Sequence, residues 1–187
     1  MDFLVWIILG AVVVIVGGWL VATQRKLAVL DENINNAMSQ IGVLLSSRFD
    51  ALTALLDLTK GYAEHEYKTI SDTVKSRRTM ITADSTAAEA KAQENLITEA
   101  LGRINAVAEA YPELKANENF RDLQAQLEGT ENRITKAVTD FNEGAQEYNT
   151  KVRRFPTSIF AGMFGFKTKP HFKAKEGAEN APTVSFE

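Results

Sequence analysis

The sequence predicts an all-α protein: one N-terminal transmembrane helix, an elongated antiparallel bundle of three long helices, and an aromatic and basic C-terminal tail. Three observations carry this expectation. Residues 3–22, FLVWIILGAVVVIVGGWLVA, are twenty consecutive residues without a charge. All four prolines stand at position 112 or later, at Pro112, Pro156, Pro170 and Pro182, and the chain before them is rich in helix formers. Beyond the apolar run, apolar residues recur at alternating spacings of three and four, the period of packed helices.

The apolar run comes first. About 20 apolar residues of helix cross the hydrocarbon core of a bilayer, and a helix closes its backbone hydrogen bonds internally, as lipid requires. A core helix would be shorter and carry a polar stripe. A cleaved signal peptide would begin with Lys or Arg and have a shorter apolar run. Asp2 stands where those cations belong, so residues 1–24 are expected to be a retained anchor contacting lipid through 3–22. Gly10, Gly17 and Gly18 allow close helix approach, but without a G-x-x-x-G spacing they make a weak dimer motif. No Lys or Arg precedes the span, whereas Arg25 and Lys26 follow it at once. The positive-inside rule then places the N-terminus outside and the helical domain in the cytoplasm, as a single-pass protein of the inner (cytoplasmic) membrane. The absence of cysteine suits a reducing compartment.

Residues 25–155 form the expected bundle. Leu27, Leu30, Ile34, Ala37, Ile41 and Leu44 begin a stripe that continues through Leu45, Leu52, Leu55, Leu56, Thr59, Tyr62 and Ile70. The first helix is therefore expected to run unbroken to about Arg78, reaching about 80 Å beyond the bilayer at 1.5 Å per residue. Gly42 and Gly61 weaken it locally, by roughly 1 kcal/mol each relative to Ala. In TMITADST (79–86), Asp84 or Ser85 is the expected cap of the second helix, with Glu89 in its first turns. That helix carries Ala88, Ala92, Leu96, Leu101, Ile104, Val107 and Ala108, and stops at Tyr111-Pro112. Asn117 or Asn119 starts the third. Its stripe of Phe120, Leu123, Leu127, Thr130, Ile134, Ala137, Phe141, Gly144, Tyr148 and Phe155 is the cleanest periodic signal in the chain. Phe155-Pro156 ends it.

The punctuation of these helices resembles the LemA family. Gly61-Tyr62-Ala63-Glu64-His65-Glu66 resembles its GYAxHE signature, and Tyr111-Pro112-Glu113-Leu114-Lys115-Ala116-Asn117 its YPxLKAN turn. Thr130-Glu131-Asn132, Phe141-Asn142, Tyr148-Asn149, Phe155-Pro156 and Phe164-Gly165-Phe166 follow in the family's order. One departure is the family's RxDLIPNLV stretch, which here runs from Arg48 to Leu56 without the proline, so the first helix is expected to be straighter. The resemblance implies a membrane-anchored helical bundle concerned with bacterial envelope or intracellular membrane organisation, with no reaction attached.

Residues for chemistry are sparse. His65-Glu66 begins like H-E-x-x-H but lacks the second histidine, and the only other histidine is His171. The paired Glu-x-x-His motifs of a di-metal bundle do not occur. Nor does a G-x-x-x-x-G-K-[ST] phosphate loop, a cysteine nucleophile or a G-x-S-x-G elbow. Glu64, Glu66 and Glu131 are expected at most to form a paired polar layer that sets helix register. Gly129 and Gly144 read as packing or bend positions. No catalytic, cofactor-binding or metal residue is therefore expected, and no enzyme. With a formal charge of −3, nothing pulls the chain toward nucleic acid, and no small-molecule substrate is evident.

The tail, 156–187, combines Ile159, Phe160, Met163, Phe164 and Phe166 with Lys167, Lys169, Lys173 and Lys175, and no Asp or Glu lies between Lys151 and Lys175. It suits docking on a neighbouring subunit, packing on its own bundle, or an amphipathic helix on the membrane surface. Three helices running away, back and away leave the tail at the distal end. About 30 extended residues at roughly 3.3 Å each could barely return, which favours docking on a neighbour. The expected function is a non-enzymatic, self-associating membrane scaffold; the alternative is a monomeric membrane-tethered adaptor or sensor that recruits another protein.

Overall fold

The computed structural model describes residues 2–173, and every element within them is a helix. The remainder of the tail, with Lys175 and Pro182, lies outside the described residues. The helices are α1 (Asp2–Thr59), α2 (Glu64–Arg77), α3 (Ala87–Ala110), α4 (Pro112–Ala116), α5 (Glu118–Arg153) and α6 (Thr157–Met163).

α1 carries the apolar span and then runs on without interruption into the bundle. None of the residues in its window of highest hydropathy is buried by the other described residues. That segment is long and apolar enough to cross a membrane. Beyond it, Leu27, Ile34, Ile41, Leu45, Leu52, Leu55 and Leu56 are buried, as the spacing predicts. α1 stays helical through Arg48–Leu56, where no proline interrupts it.

The first helix does not continue to Arg78. It ends at Thr59, and the chain reverses through Lys60–Ala63, with the amides of Tyr62 and Ala63 both donating to the Thr59 carbonyl, at 3.0 and 2.9 Å. Magnitudes explain the break. Gly61 makes continuing the helix about 1 kcal/mol less favourable than an alanine would, and burying a large aliphatic side chain on reversal adds about 1.5–3 kcal/mol. The reversal lays α2 back along α1 and buries Ile70 and Val74. Tyr67 Oη donates to Asp57 at 3.2 Å across the turn, and Arg78 reaches Asp50 at 3.6 Å further down. The returning chain continues as far as Gly42. A Cβ there would lie 2.2 Å from the Ile81 carbonyl oxygen, so the glycine gives the loop room to cross the helix. Gly42→Ala should therefore destabilise the bundle by about 1–3 kcal/mol as an overpacked site, despite alanine's better helix propensity. Gly129→Ala, into open space on α5, should stabilise it by about 0.5–1 kcal/mol. Urea midpoints in detergent check the opposite signs.

α3 is capped by Thr86, not by Asp84 or Ser85. Thr86 Oγ1 accepts from the Glu89 amide at 3.2 Å, and the Thr86 amide donates to Glu89 Oε2 at 2.7 Å, a reciprocal capping box. These bonds hold the Glu89 carboxyl below its ordinary value, the bond from the Thr86 backbone being the larger cause. The sign follows: a depressed folded pKa adds stability above the unfolded value, near 4.5, that is lost as pH falls through the folded one. Glu89→Gln should abolish that acid-side loss at α3, read as amide exchange of its first turn between about pH 5 and pH 3. Starting at Thr86 also shifts the buried face. Ala87, Ala90, Gln93, Ile97 and Ala100 point inward, while Ala88 and Ala92 are exposed; Leu96, Ile104, Val107 and Ala108 are buried as expected, and Leu101 is half-buried.

α3 runs out again to Tyr111, whose ring lies 6.0 Å from that of Tyr62 at the distal turn. α4 takes Pro112 at its first position and drives Leu114 into the core. Asn117 caps α5, its side chain accepting from the Phe120 amide at 3.3 Å. α5 then descends along α1. Phe120, Leu127, Ile134, Phe141 and Tyr148 are buried, Leu123 is half-buried, and Gly144 faces Ile34, which a Cβ at that position would meet at 3.4 Å. Phe155 departs from the stripe: α5 ends at Arg153, and Phe155 is 77% exposed. Gly129 is not a packing position, since nothing lies near it.

The chain thus goes out, back, out and back. The added reversal at 60–63 changes which end the tail leaves from. It starts beside the anchor, with Phe160 edge-on to Trp19 at 5.8 Å between ring centroids. The expectation of a tail stranded at the distal end fails for that reason.

Candidate functional site

Two constellations hold polar groups where an ordinary bundle would not. The first lies where anchor, bundle and tail meet. Asn142 and Asn149 sit seven residues apart on α5, both on the face the tail crosses. Asn149 Oδ1 accepts from the Lys169 amide at 2.8 Å, and its Nδ2 donates to the Lys169 carbonyl at 2.8 Å. Asn142 repeats the pattern on Phe172, at 2.8 and 3.2 Å. Seven residues of helix rise about 10.5 Å and three of extended chain about 10 Å, so one heptad of α5 registers with residues 169–172 near full extension. The tail therefore runs antiparallel to α5, away from the anchor.

The clip has further fasteners. Lys169 Nζ reaches Asp31 Oδ1 at 2.8 Å and Asn35 Oδ1 at 3.0 Å, both on α1. The ring of Phe172 meets Phe141 edge-on at 5.1 Å. His171 Nε2 lies 3.3 Å from Asn149 Nδ2. Beneath this layer Tyr148 is buried, and burial, followed by the charge of Asp31, pushes its phenol above its ordinary value. In the sequence the asparagines stand out only as family punctuation; their heptad spacing is the signal that points to the clip.

The second constellation is mid-bundle. Arg48 is 2% exposed, and its Nη2 donates to Glu131 Oε2 at 2.9 Å, while the Glu131 side chain keeps 46% of its surface. Arg48 Nε and Nη1 are buried with no hydrogen-bond partner. Arg48 sits on the α1 stripe, between Leu45 and Leu52, so α1 cannot pack on α5 without burying it. Glu131 is thereby the counter-charge of Arg48. It does not join Glu64 and Glu66, which stand exposed in the first turn of α2, where acidic side chains suit the positive helix end. Among the described residues no three His, Cys, Asp or Glu side chains gather as a metal-ligand group. His65 is exposed on α2, and His171 belongs to the tail clip. Neither constellation aligns a nucleophile with a base; one fixes the extended tail, and the other α1, against α5.

Comparison with known proteins agrees with the helical punctuation. The sequence profile of the LemA family matches residues 37–186. Magnetosome protein MamQ of Magnetospirillum gryphiswaldense is 23% identical over 173 residues, covering 79% of this chain and 64% of that protein. Protein LemA of Metamycoplasma hominis is 29% identical over 150 residues, 78% of this chain and 67% of its own. Magnetosome protein MamQ 2 of Paramagnetospirillum magneticum is 31% identical over 80 residues, 43% of this chain but 29% of that protein. The chain thus spans less than two thirds of the length of these magnetosome relatives. With most of its length under one profile, the chain belongs to the LemA family.

Proposed function

We propose that this chain is a non-enzymatic scaffold, anchored in the inner membrane by residues 3–22, that self-associates and organises the membrane or envelope. One observation carries the membrane anchoring on which the reading rests: the first turns of α1 form a bare apolar rod, with Phe3, Trp6, Val13 and Ile15 exposed and nothing among the described residues covering them. Soluble proteins seldom expose so large a contiguous apolar surface, and lipid is the solvent that suits it. That relatives are named as magnetosome proteins supports a role within an assembled structure.

The cytoplasmic placement of the bundle gains support from the tail. Arg153, Arg154 and Lys167 are exposed near the end of α5 that lies by the anchor, the same end as Arg25 and Lys26. That cluster of cations on one side of the span deepens the positive-inside bias.

Self-association follows from confinement. Anchors concentrate copies in two dimensions and raise their effective concentration. The described tail is engaged with its own bundle, so bridging through it loses its geometric basis. Lateral pairing falls instead to the exposed face of α1, where Val29 and Val43 stand two heptads apart. Mass photometry of the full chain in detergent should show discrete particles many times the 20.6 kDa of one chain. Val29→Glu with Val43→Glu should disperse them. A wild-type species of one chain plus detergent would instead favour the monomeric adaptor.

A further inference from the structure

The end of α5 and the short α6 form an elbow whose level against the anchor is marked by an aromatic contact. Phe160 packs on Trp19, and Trp19 lies three residues before the end of the apolar run at Ala22. At 1.5 Å per residue, that places Trp19 about 5 Å inside the run. Any bilayer that covers residues 3–22 therefore reaches the level of Phe160. α6 cannot stand in bulk water while its neighbour on α1 is in lipid.

The elbow is built for that level. Phe160 and Ala161 face the chain, and Ala161 is buried. On the other side Ile159 and Met163, one turn apart on α6, are 56 and 75% exposed; Phe155 just before the helix is 77% exposed and Phe164 just after it 48%. Nothing in the described chain covers this ridge. Arg153, Arg154 and Lys167 flank it, and among the described residues none of the three forms an ion pair with Asp or Glu. An apolar ridge edged by cations, with an aromatic pair at its inner side, is the composition of a segment lying in the headgroup–acyl boundary, about 5–10 Å deep.

We infer that residues 155–164 are a second membrane contact, an interfacial wedge that seats in the same leaflet as the anchor's C-terminal end. The inference rests on residues 3–22 being the anchor. Its occupant is the lipid surface, because Phe160 holds α6 against Trp19, inside the length of the span, so its exposed face sits at the membrane boundary. The wedge clamps the base of the bundle to the bilayer at two points and restricts its tilt. The tail clip then returns the chain from the wedge up α5.

The chain has no cysteine, so single cysteines can carry an environment-sensitive fluorophore in the full chain reconstituted in nanodiscs of mixed neutral and anionic phospholipid. Met163→Cys tests the wedge, Val13→Cys the anchor, and Glu143→Cys, exposed on α5, the solvent reference. Lipids with a nitroxide near the headgroup should quench Met163 severalfold more than Glu143, and more strongly than lipids with a deep nitroxide. Val13 should show the reverse depth order. Met163 quenched no more than Glu143, with Val13 quenched, would overturn the wedge and leave the anchor standing. Val13 unquenched would overturn the anchor and the wedge with it. Quenching of Met163 by a nitroxide on a second copy, without quenching by lipid, would assign the ridge to self-association and overturn the lipid contact.

Discussion

Glu131→Leu should destabilise the bundle by about 3 kcal/mol, the low end of the cost of removing one partner from a buried ion pair. The low end applies because Glu131 is half-solvated and its place can admit water, whereas the guanidinium it leaves behind cannot leave the core. Arg48 already has two buried nitrogens without partners, so losing its one acceptor strands the whole charge. Arg48→Met should cost much less, within about 1 kcal/mol, because it removes the buried charge and leaves a carboxylate that water can reach. The double variant should resemble Arg48→Met. At about 2–4 °C per kcal/mol for a domain of this size, thermal unfolding in detergent should fall by about 6–12 °C for Glu131→Leu. Equal losses in the two single variants would show that the pair acts as an ordinary surface bridge.

Asn142→Ala with Asn149→Ala should free the tail. Four hydrogen bonds tie these side chains to the backbone of Lys169 and Phe172. At about 1 kcal/mol each, their loss weakens the clip by about 4 kcal/mol. At 1.4 kcal/mol per factor of ten, amide exchange at Lys169 and Phe172 should quicken by two to three orders of magnitude. Exchange at Leu127 and Ile134, mid-bundle on α5, should barely change, since the clip adds nothing to the fold's centre. Lys169→Met, which removes the bridge to Asp31 and Asn35, should produce a smaller effect, because the asparagine bonds remain.

The parts legible in the sequence are those that periodicity governs. The stripes of Leu27 to Leu56 and of Phe120 to Tyr148 placed α1 against α5, the largest interface in the molecule. Pro112 and Asn117 marked a real helix stop and start, because each acts through its own backbone or its nearest amides. The reversal at Gly61 was not legible. One glycine disfavours helix by only about 1 kcal/mol, too little to mark a break, and the larger gain comes from α2 meeting α1 and α3, contacts that local spacing does not encode. That single break inverted the fate of the tail. The capping box has a sequence signature, Thr86-Ala87-Ala88-Glu89 at the spacing of one, and it sets the phase of the whole buried face of α3. Arg48 was likewise readable as a core charge, since it falls on the stripe between Leu45 and Leu52, but its partner could come only from α5. The clip joins residues 20 and 30 positions apart through side chain to backbone bonds, and no periodicity reports those.

The fold's central feature is the return of the chain to its anchor. Spin labels at Gln24→Cys, just beyond the apolar run, and Arg153→Cys, at the end of α5, test it in the full chain by pulsed electron resonance. The out–back–out–back path brings these ends together, as the contacts of Trp19 with Phe160 and of Asp31 with Lys169 require, and predicts a single distribution centred below about five helix turns, or about 27 Å. A distribution near the length of an unbroken rod from Gln24 to Arg78, about 80 Å at 1.5 Å per residue, would contradict it.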